Sequence, residues 1–238
     1  MTAPHFFAPV VTGERVILER EDSRHALRVL RLRPGEQITI GDGRGSVVEA
    51  TVGDDDDRLV AHVTARRTEP EPRPALHVYQ ALPKKGKLDL VVQKLTELGV
   101  ASIHLFASHR SVPRWDPAKG ASHAARLGEV ARQAAMQSRR AWLPRVLAPA
   151  PLSSLDMSEP VVILHGSATV RLSEALPETA PSAVGLVVGP EGGLTEEEVT
   201  ALRALGAIPV TLGPLVLRTE TAALAAAAIV LGRYGQLG

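Results

Sequence analysis

Two glycine-proline loops near the C-terminus hold the residues best placed for chemistry: Val188-Gly-Pro-Glu-Gly-Gly-Leu194 and Leu212-Gly-Pro-Leu-Val-Leu-Arg-Thr-Glu-Thr-Ala222. Each follows an apolar run, and a third loop, His165-Gly166-Ser167, follows another. In open parallel sheets the ligand site lies outside the C-terminal ends of strands, where glycines let backbone amides and carbonyls come close to a bound molecule. Three strand ends in one sheet can therefore surround one pocket. A lone Gly-Pro is more often just a tight turn between strand and helix, so the weight rests on the combination. Neither loop is a P-loop, because no Gly-Lys-Ser/Thr follows, and neither has the Gly-x-Gly-x-x-Gly spacing of dinucleotide sites.

The elements that must carry these loops are legible around them. Apolar runs at Leu76 to Leu82, Ser102 to Phe106, Val161 to Leu164, Val184 to Val188 and Ile208 to Leu212 alternate with amphipathic stretches. That alternation predicts a mainly parallel sheet covered by helices. Lys87 to Leu98 reads as a helix from the 3.6-residue spacing of Leu88, Val91, Val92, Leu95 and Leu98, with Gly99 as its left-handed cap. Thr195 and Glu198 form a capping box for a second helix ending at Gly206. A third, alanine-rich helix spans about Thr219 to Arg233 and is apolar nearly all round, which places it in the core or against another subunit.

Thr68 to Pro74, with three prolines in seven residues, divides this α/β part (74–238) from a smaller N-terminal one (1–73). There, strand-like runs at Arg15 to Leu18, Gln37 to Ile40, Ser46 to Val52 and Leu59 to Thr64 are separated by glycine turns and by Asp54 to Asp57, which suggests a compact β-barrel. A helical segment, Ser23 to Leu32, sets Ala26, Leu27 and Leu30 against Arg24, Arg28 and Arg31.

The 238 residues carry a net charge of +1, but that figure is a cancellation. Residues 1–73 sum to −2, 74–150 to +8 and 151–238 to −5, an asymmetry that raises the expectation of a polyanionic partner. With no cysteine there is neither disulfide nor thiol chemistry, and the eight histidines show no metal-ligand spacing, so no metal is expected. The longest apolar run, Ala222 to Leu231, is about half a bilayer span. A cytoplasmic protein without a membrane partner is the expectation.

Both glycine loops in this order, with the upstream Lys85-Gly-Lys-Leu-Asp-Leu-Val-Val-Gln-Lys-Leu-Thr-Glu-Leu-Gly-Val100 and Gln137-Ser-Arg-Arg140, resemble the ribosomal RNA small subunit methyltransferase E family. The resemblance spans nearly the whole chain and includes His25-Ala-Leu-Arg-Val-Leu-Arg31. It implies a PUA-like RNA-binding barrel followed by a SPOUT-class, trefoil-knot α/β methyltransferase domain, and a homodimer. The implied reaction is S-adenosylmethionine-dependent methylation of N3 of a uridine in 16S ribosomal RNA. The cofactor site would be formed by Leu164, His165 and Gly166, by Gly189, Pro190, Glu191, Gly192 and Gly193, and by Leu212, Gly213, Pro214, Leu217 and Arg218.

Given that chemistry, Arg218 is the candidate catalytic residue, with a guanidinium able to stabilise negative charge spreading over uracil carbonyls. The competing reading pairs it with Glu220 or with the C-terminal carbonyls of another helix. Glu191 and Glu220 are the nearest carboxylates, and neither is singled out as the base; Glu220 also suits the first turn of a helix. Candidate RNA-phosphate contacts are Arg24, Arg28 and Arg31 in the N-terminal part and Lys84, Lys85, Lys87, Lys94, Arg110, Arg139 and Arg140 in the basic middle segment. For Trp115 and Trp142, stacking on bases and packing are both open. Two positions depart from the family pattern: Met136 and His109 stand where acidic residues are usual. A ribose 2′-O-methyltransferase of the same class and a non-catalytic ribosome-assembly factor are the alternative functions.

Overall fold

The structure is a computed structural model that describes residues 3–54, 58–84 and 86–237; Lys85 and Asp55 to Asp57 lie outside the described residues. The chain divides into two compact units, Met1–Glu71 with Ala135–Leu143, and Pro72–Ala134 with Pro144–Gly238.

The first unit is built on five strands: β1 (His5–Phe7), β2 (Arg15–Ile17), β3 (Gln37–Gly41), β4 (Ser46–Val52) and β5 (Val60–Thr68), in the order β1-β3-β4-β5-β2. β1 pairs with β3 in parallel, and the other pairs are antiparallel. Alternation sends Ile38 and Ile40 of β3 inward, onto Phe6, Leu18 and Leu59. The helical segment begins earlier than the periodicity implies: α1 spans Arg20–Arg24 and runs directly into a π-helical turn at His25–Val29. Ser23 lies inside this helix. Its hydroxyl donates to the Leu18 carbonyl and accepts from the Leu59 amide, both at 3.1 Å, which ties the helix to the strands on either side. The π turn closes with bonds from Leu30 N–H to His25 O and from Leu32 N–H to Ala26 O, and it leaves Arg31 in the left-handed region at φ 56°. Residues 135–143 extend this unit: Met136 packs on its core, and the Trp142 indole N–H donates to the Glu69 carbonyl.

The second unit holds β6 (Ala75–Ala81), α2 (Leu88–Leu98), β7 (Ser102–Phe106), most of α3 (Pro117–Ser138), β8 (Arg145–Leu147), β9 (Val161–Leu164), α4 (Leu172–Ala175), β10 (Ala183–Val188), α5 (Glu196–Ala204), β11 (Ile208–Val210) and α6 (Thr219–Arg233). Its six strands are all parallel, in the order β11-β9-β10-β6-β7-β8. One face is covered by apolar residues of α2, α3 and α6, among them Val91, Leu95, Leu127, Ala226 and Val230, all fully buried. Leu95→Ala would leave a cavity costing about 2–5 kcal/mol. The other face, with Tyr79, Phe106, Ile163 and Val187, packs on Val199 and Leu202 of α5. Gly99 caps α2 at φ 110°, as its residue type requires, and Thr195 and Glu198 form the reciprocal capping box of α5.

Because β11, β9, β10 and β6 are neighbours running in one direction, the loops after all four emerge at the same edge of the sheet. Three are the glycine loops; the fourth, Leu82 to Lys87, joins β6 to α2.

Candidate functional site

The loop after β10 turns on a bond from the Gly193 N–H to the Pro190 carbonyl at 2.9 Å, with Gly193 at φ 71°. A Cβ on Gly189 would lie 3.1 Å from the Leu194 amide nitrogen, so this bend also needs glycine at its start. The loop after β11 is pinned by the Thr211 hydroxyl, which lies 3.1 Å from both the amide and the carbonyl of Gly213. Beyond it, Leu215 and Val216 project into solvent, whereas Leu212 packs partly against the core. The third loop is drawn in by the His165 N–H bond to the Val210 carbonyl; the His165 ring lies 2.9 Å from the Ser167 hydroxyl and 3.8 Å from a Glu196 oxygen.

Two networks hold the loops after β10 and β11 together. The inner one is neutral. Gln80, fully buried at the end of β6, donates to the Thr219 hydroxyl at 3.2 Å, and that hydroxyl donates onward to the Gly189 carbonyl at 2.6 Å. The outer one is ionic. Lys87 Nζ lies 3.1 Å from Glu191 Oε1 and 3.0 Å from Glu220 Oε2, while both oxygens of Glu191 accept from the Lys84 amide. The pairing raises the Lys87 ammonium above its ordinary range, through Glu220 first and Glu191 second. Burial works against ionisation of both carboxylates, but their backbone bonds and Lys87 outweigh it and hold each below the usual range.

This arrangement bears on both readings of Arg218. The residue is the exposed N-cap of α6, and Glu220 is taken by Lys87. Among the described residues the Arg218 guanidinium makes no ion pair or hydrogen bond, and its charge acts on Glu220 only through space. Glu191 turns its carboxylate toward the β6–α2 segment, which leaves the backbone of its loop as the surface offered to a ligand.

The candidate RNA contacts fare differently. Arg24, Arg28 and Arg31 are exposed and enter no ion pair among the described residues; Lys84 is also exposed. Arg139 is exposed too, at φ 58°. Lys87 is committed to the two glutamates, and Lys94 to Glu97 at 2.8 Å. Arg110 donates to the Gly192 carbonyl at 2.8 Å and braces the glycine loop. Burial of the Arg140 guanidinium lowers its pKa to about 10, and Lys85 lies outside the described residues. Trp115 stacks on His123 with ring centroids 4.1 Å apart. Among the described residues no group of three or more metal-ligating side chains forms, and no helix is long and apolar enough to cross a membrane.

Sequence reasoning missed Gln80, Thr219 and the pairing role of Lys87. Gln80 had a signal, as the one amide in a strand where only His77 is otherwise strongly polar; Lys87 had none, since its partners lie more than 100 residues away.

Family models match over most of the chain: an RNA methyltransferase domain over residues 69–231 and an RNA methyltransferase PUA domain over 18–63. The chain is 37% identical over 235 residues to the ribosomal RNA small subunit methyltransferase E of Mycobacterium bovis, covering 95% of this chain and 88% of that protein. The chain belongs to the ribosomal RNA small subunit methyltransferase E family. The Bacillus subtilis methyltransferase E is 32% identical, with 90% and 86% covered. Among solved structures, the methyltransferase E of Neisseria gonorrhoeae bound to S-adenosyl methionine superposes with a TM-score of 0.87 at 31% identity, covering 97% of this chain and 98% of that one. A methyltransferase from Legionella pneumophila in complex with the cofactor matches at 0.87 and 28% identity, with 98% of each chain covered.

As a member of this family, the chain has an N-terminal PUA unit and a SPOUT α/β unit of the trefoil-knot class. Both departures from the family pattern have a structural setting here. Met136 is buried in part against the PUA core, where a carboxylate would be desolvated. His109 serves through its backbone, donating to Glu198 and accepting from Arg114.

Proposed function

We propose that this methyltransferase transfers a methyl group from S-adenosylmethionine to N3 of a uridine in 16S ribosomal RNA. The observation that carries the reading is the exposed guanidinium of Arg218, without ion pair or hydrogen bond among the described residues, beside the point where two cross-tied glycine loops meet.

The loop residues fit the donor. Leu212 and Leu217 offer partly buried apolar surface, and the amides of Leu215, Val216 and Leu217 engage no protein acceptor among the described residues. Free backbone donors beside a leucine-lined wall suit an adenosine moiety. Leu164 to Gly166, Gly189 to Gly193 and Leu212 to Arg218 would hold it. When bound, S-adenosylmethionine supplies an electrophilic methyl on a sulfonium. The protein orients the uracil in line with that methyl and favours the N3 anion, because Arg218 can place two N–H donors against ring carbonyls that gain negative charge as N3–H loses its proton.

Arg24, Arg28 and Arg31 would hold the RNA backbone, with Lys84 and Arg139 as further contacts. The domains act as 1–73 for RNA and 74–238 for transfer. The outward face of α6, with Thr221, Ala225 and Ile229 exposed or half-buried, is the natural contact for a second copy in a homodimer. Cytoplasmic action on small-subunit RNA, without metal, completes the reading.

The test is complementation. Small-subunit RNA from a deletion strain should lack one N3-methyluridine, which the unaltered chain restores and Arg218→Ala does not. Full restoration by Arg218→Ala would remove Arg218 from the mechanism, and a missing ribose methyl instead would favour the 2′-O activity.

A further inference from the structure

We propose that Lys87 is a positioning residue whose single ammonium, shared between Glu191 and Glu220, locks the two glycine loops into the arrangement that receives the methyl donor. The inference rests on the functional reading above, since the donor is part of it.

Three segments distant in sequence converge on this cation. Glu191 belongs to the loop after β10, Glu220 to the first turn of α6 just after the loop of β11, and Lys87 to the residue preceding α2. The side chains are three-quarters or more withdrawn from solvent, with Lys87 25%, Glu191 23% and Glu220 14% exposed. Ion pairs so enclosed are screened less than those on an open surface. Glu191 fastens the β6–α2 segment a second time through the Lys84 amide. Among the described residues, Arg218 also bears on Glu220, and Asp89 in the first turn of α2 is paired with Arg126.

The charge count makes the idea testable. Lys87 is the cation in contact with both carboxylates, whereas Arg218 acts on Glu220 alone and without an ion pair; without Lys87, like charges repel and one carboxylate takes up a proton at a higher pH than usual. The loops would then separate at neutral pH and close again in acid. A residue that merely fills space would show no such pH dependence.

The experiment titrates S-adenosylmethionine into the full chain by calorimetry from pH 5.5 to 8.5, alongside thermal melting without ligand. The unaltered chain should bind with little dependence on pH. Lys87→Met, which keeps the aliphatic stem, should lose about tenfold in affinity at pH 8 and regain most of it by pH 5.5. Its melting temperature should follow the same course. Adding Glu220→Gln to Lys87→Met should restore affinity at pH 8 to within about threefold, because one of the two facing charges is gone. Lys87→Arg should bind like the unaltered chain. Undiminished binding by Lys87→Met at pH 8, or a loss that is equal at every pH and not relieved by Glu220→Gln, would overturn the proposal. No binding by the unaltered chain would instead remove the functional reading, and the melting series would then decide the clamp alone.

Discussion

The arginines at 24–31 and the trio Lys87, Lys94 and Arg110 look equivalent in sequence, yet the structure uses them in opposite ways. In the PUA unit, Arg24, Arg28 and Arg31 surround a π turn that also exposes Val29 and Leu30, and none enters an ion pair among the described residues. Arg31 sits at φ 56° as the left-handed residue that ends the π turn, closed by the Leu32 N–H bond to the Ala26 carbonyl. In the methyltransferase unit, Lys87, Lys94 and Arg110 are consumed by Glu191 and Glu220, by Glu97 and by the Gly192 carbonyl. Charge by sequence segment is thus a poor measure of charge on offer. Divided by folded unit, the −2, +8 and −5 of the segments become −1 for the first unit (12 basic and 13 acidic residues) and +2 for the second (15 and 13).

The contrast can be broken most forcefully through RNA affinity. Replacing Arg28 and Arg31 with alanine should reduce affinity for small-subunit RNA by at least about tenfold near physiological salt, and lower the slope of log affinity against log salt by about 1.5. Lys94→Ala should leave both unchanged. An equal loss in the two variants, read by filter binding across a salt series, would erase the distinction drawn between the regions.

Next in size is the backbone of the loops. Gly213 sits at φ 122°, where alanine is strained, so Gly213→Ala should cost about 1–3 kcal/mol locally and weaken S-adenosylmethionine binding in calorimetry. Gly166, at an ordinary φ and with open space around its Cβ position, should accept alanine with little change in melting temperature.

A smaller effect compares the interiors of the two units. His5 in the first and His104 in the second are each lowered by burial to about pKa 4, from an ordinary value near 6.5. Both are neutral when folded, and the unfolded chain takes up their protons first. Stability should therefore fall as pH drops from about 6.5 toward 4 and then level off. Melting temperature against pH checks this, and His104→Gln should flatten only the part belonging to the methyltransferase unit. The Asp89–Arg126 pair, about half exposed on both sides, should contribute the least: Arg126→Ala should cost under about 1 kcal/mol in denaturant unfolding.

Much of the second unit was readable because its signals are local. The period of Val91, Val92 and Leu95, the cap at Gly99 and the box at Thr195 each need only a few neighbouring residues. Short elements escaped. β1 and β8 have three residues each, too few to show a period, and they exist because a neighbouring strand offers an edge. The placement of 135–143 escaped as well, since the last turn of α3 continues the helical pattern while packing Met136 on a different core. At the site, the glycine loops announced themselves by composition. The Lys87 clamp and the Gln80 to Thr219 to Gly189 chain did not, because each joins residues that only the order β11-β9-β10-β6 brings together.

The central claim is base methylation at these loops, and the direct test is transfer in a defined mixture. Purified chain, S-adenosylmethionine carrying an isotopically labelled methyl group, and small-subunit RNA or assembled subunits from a deletion strain would be combined, and the RNA digested for nucleoside mass spectrometry. The account predicts that the label appears in N3-methyluridine, at a single position, and that Arg218→Ala abolishes it. Label in a ribose-methylated nucleoside, or none in either substrate while the chain binds S-adenosylmethionine, would contradict it.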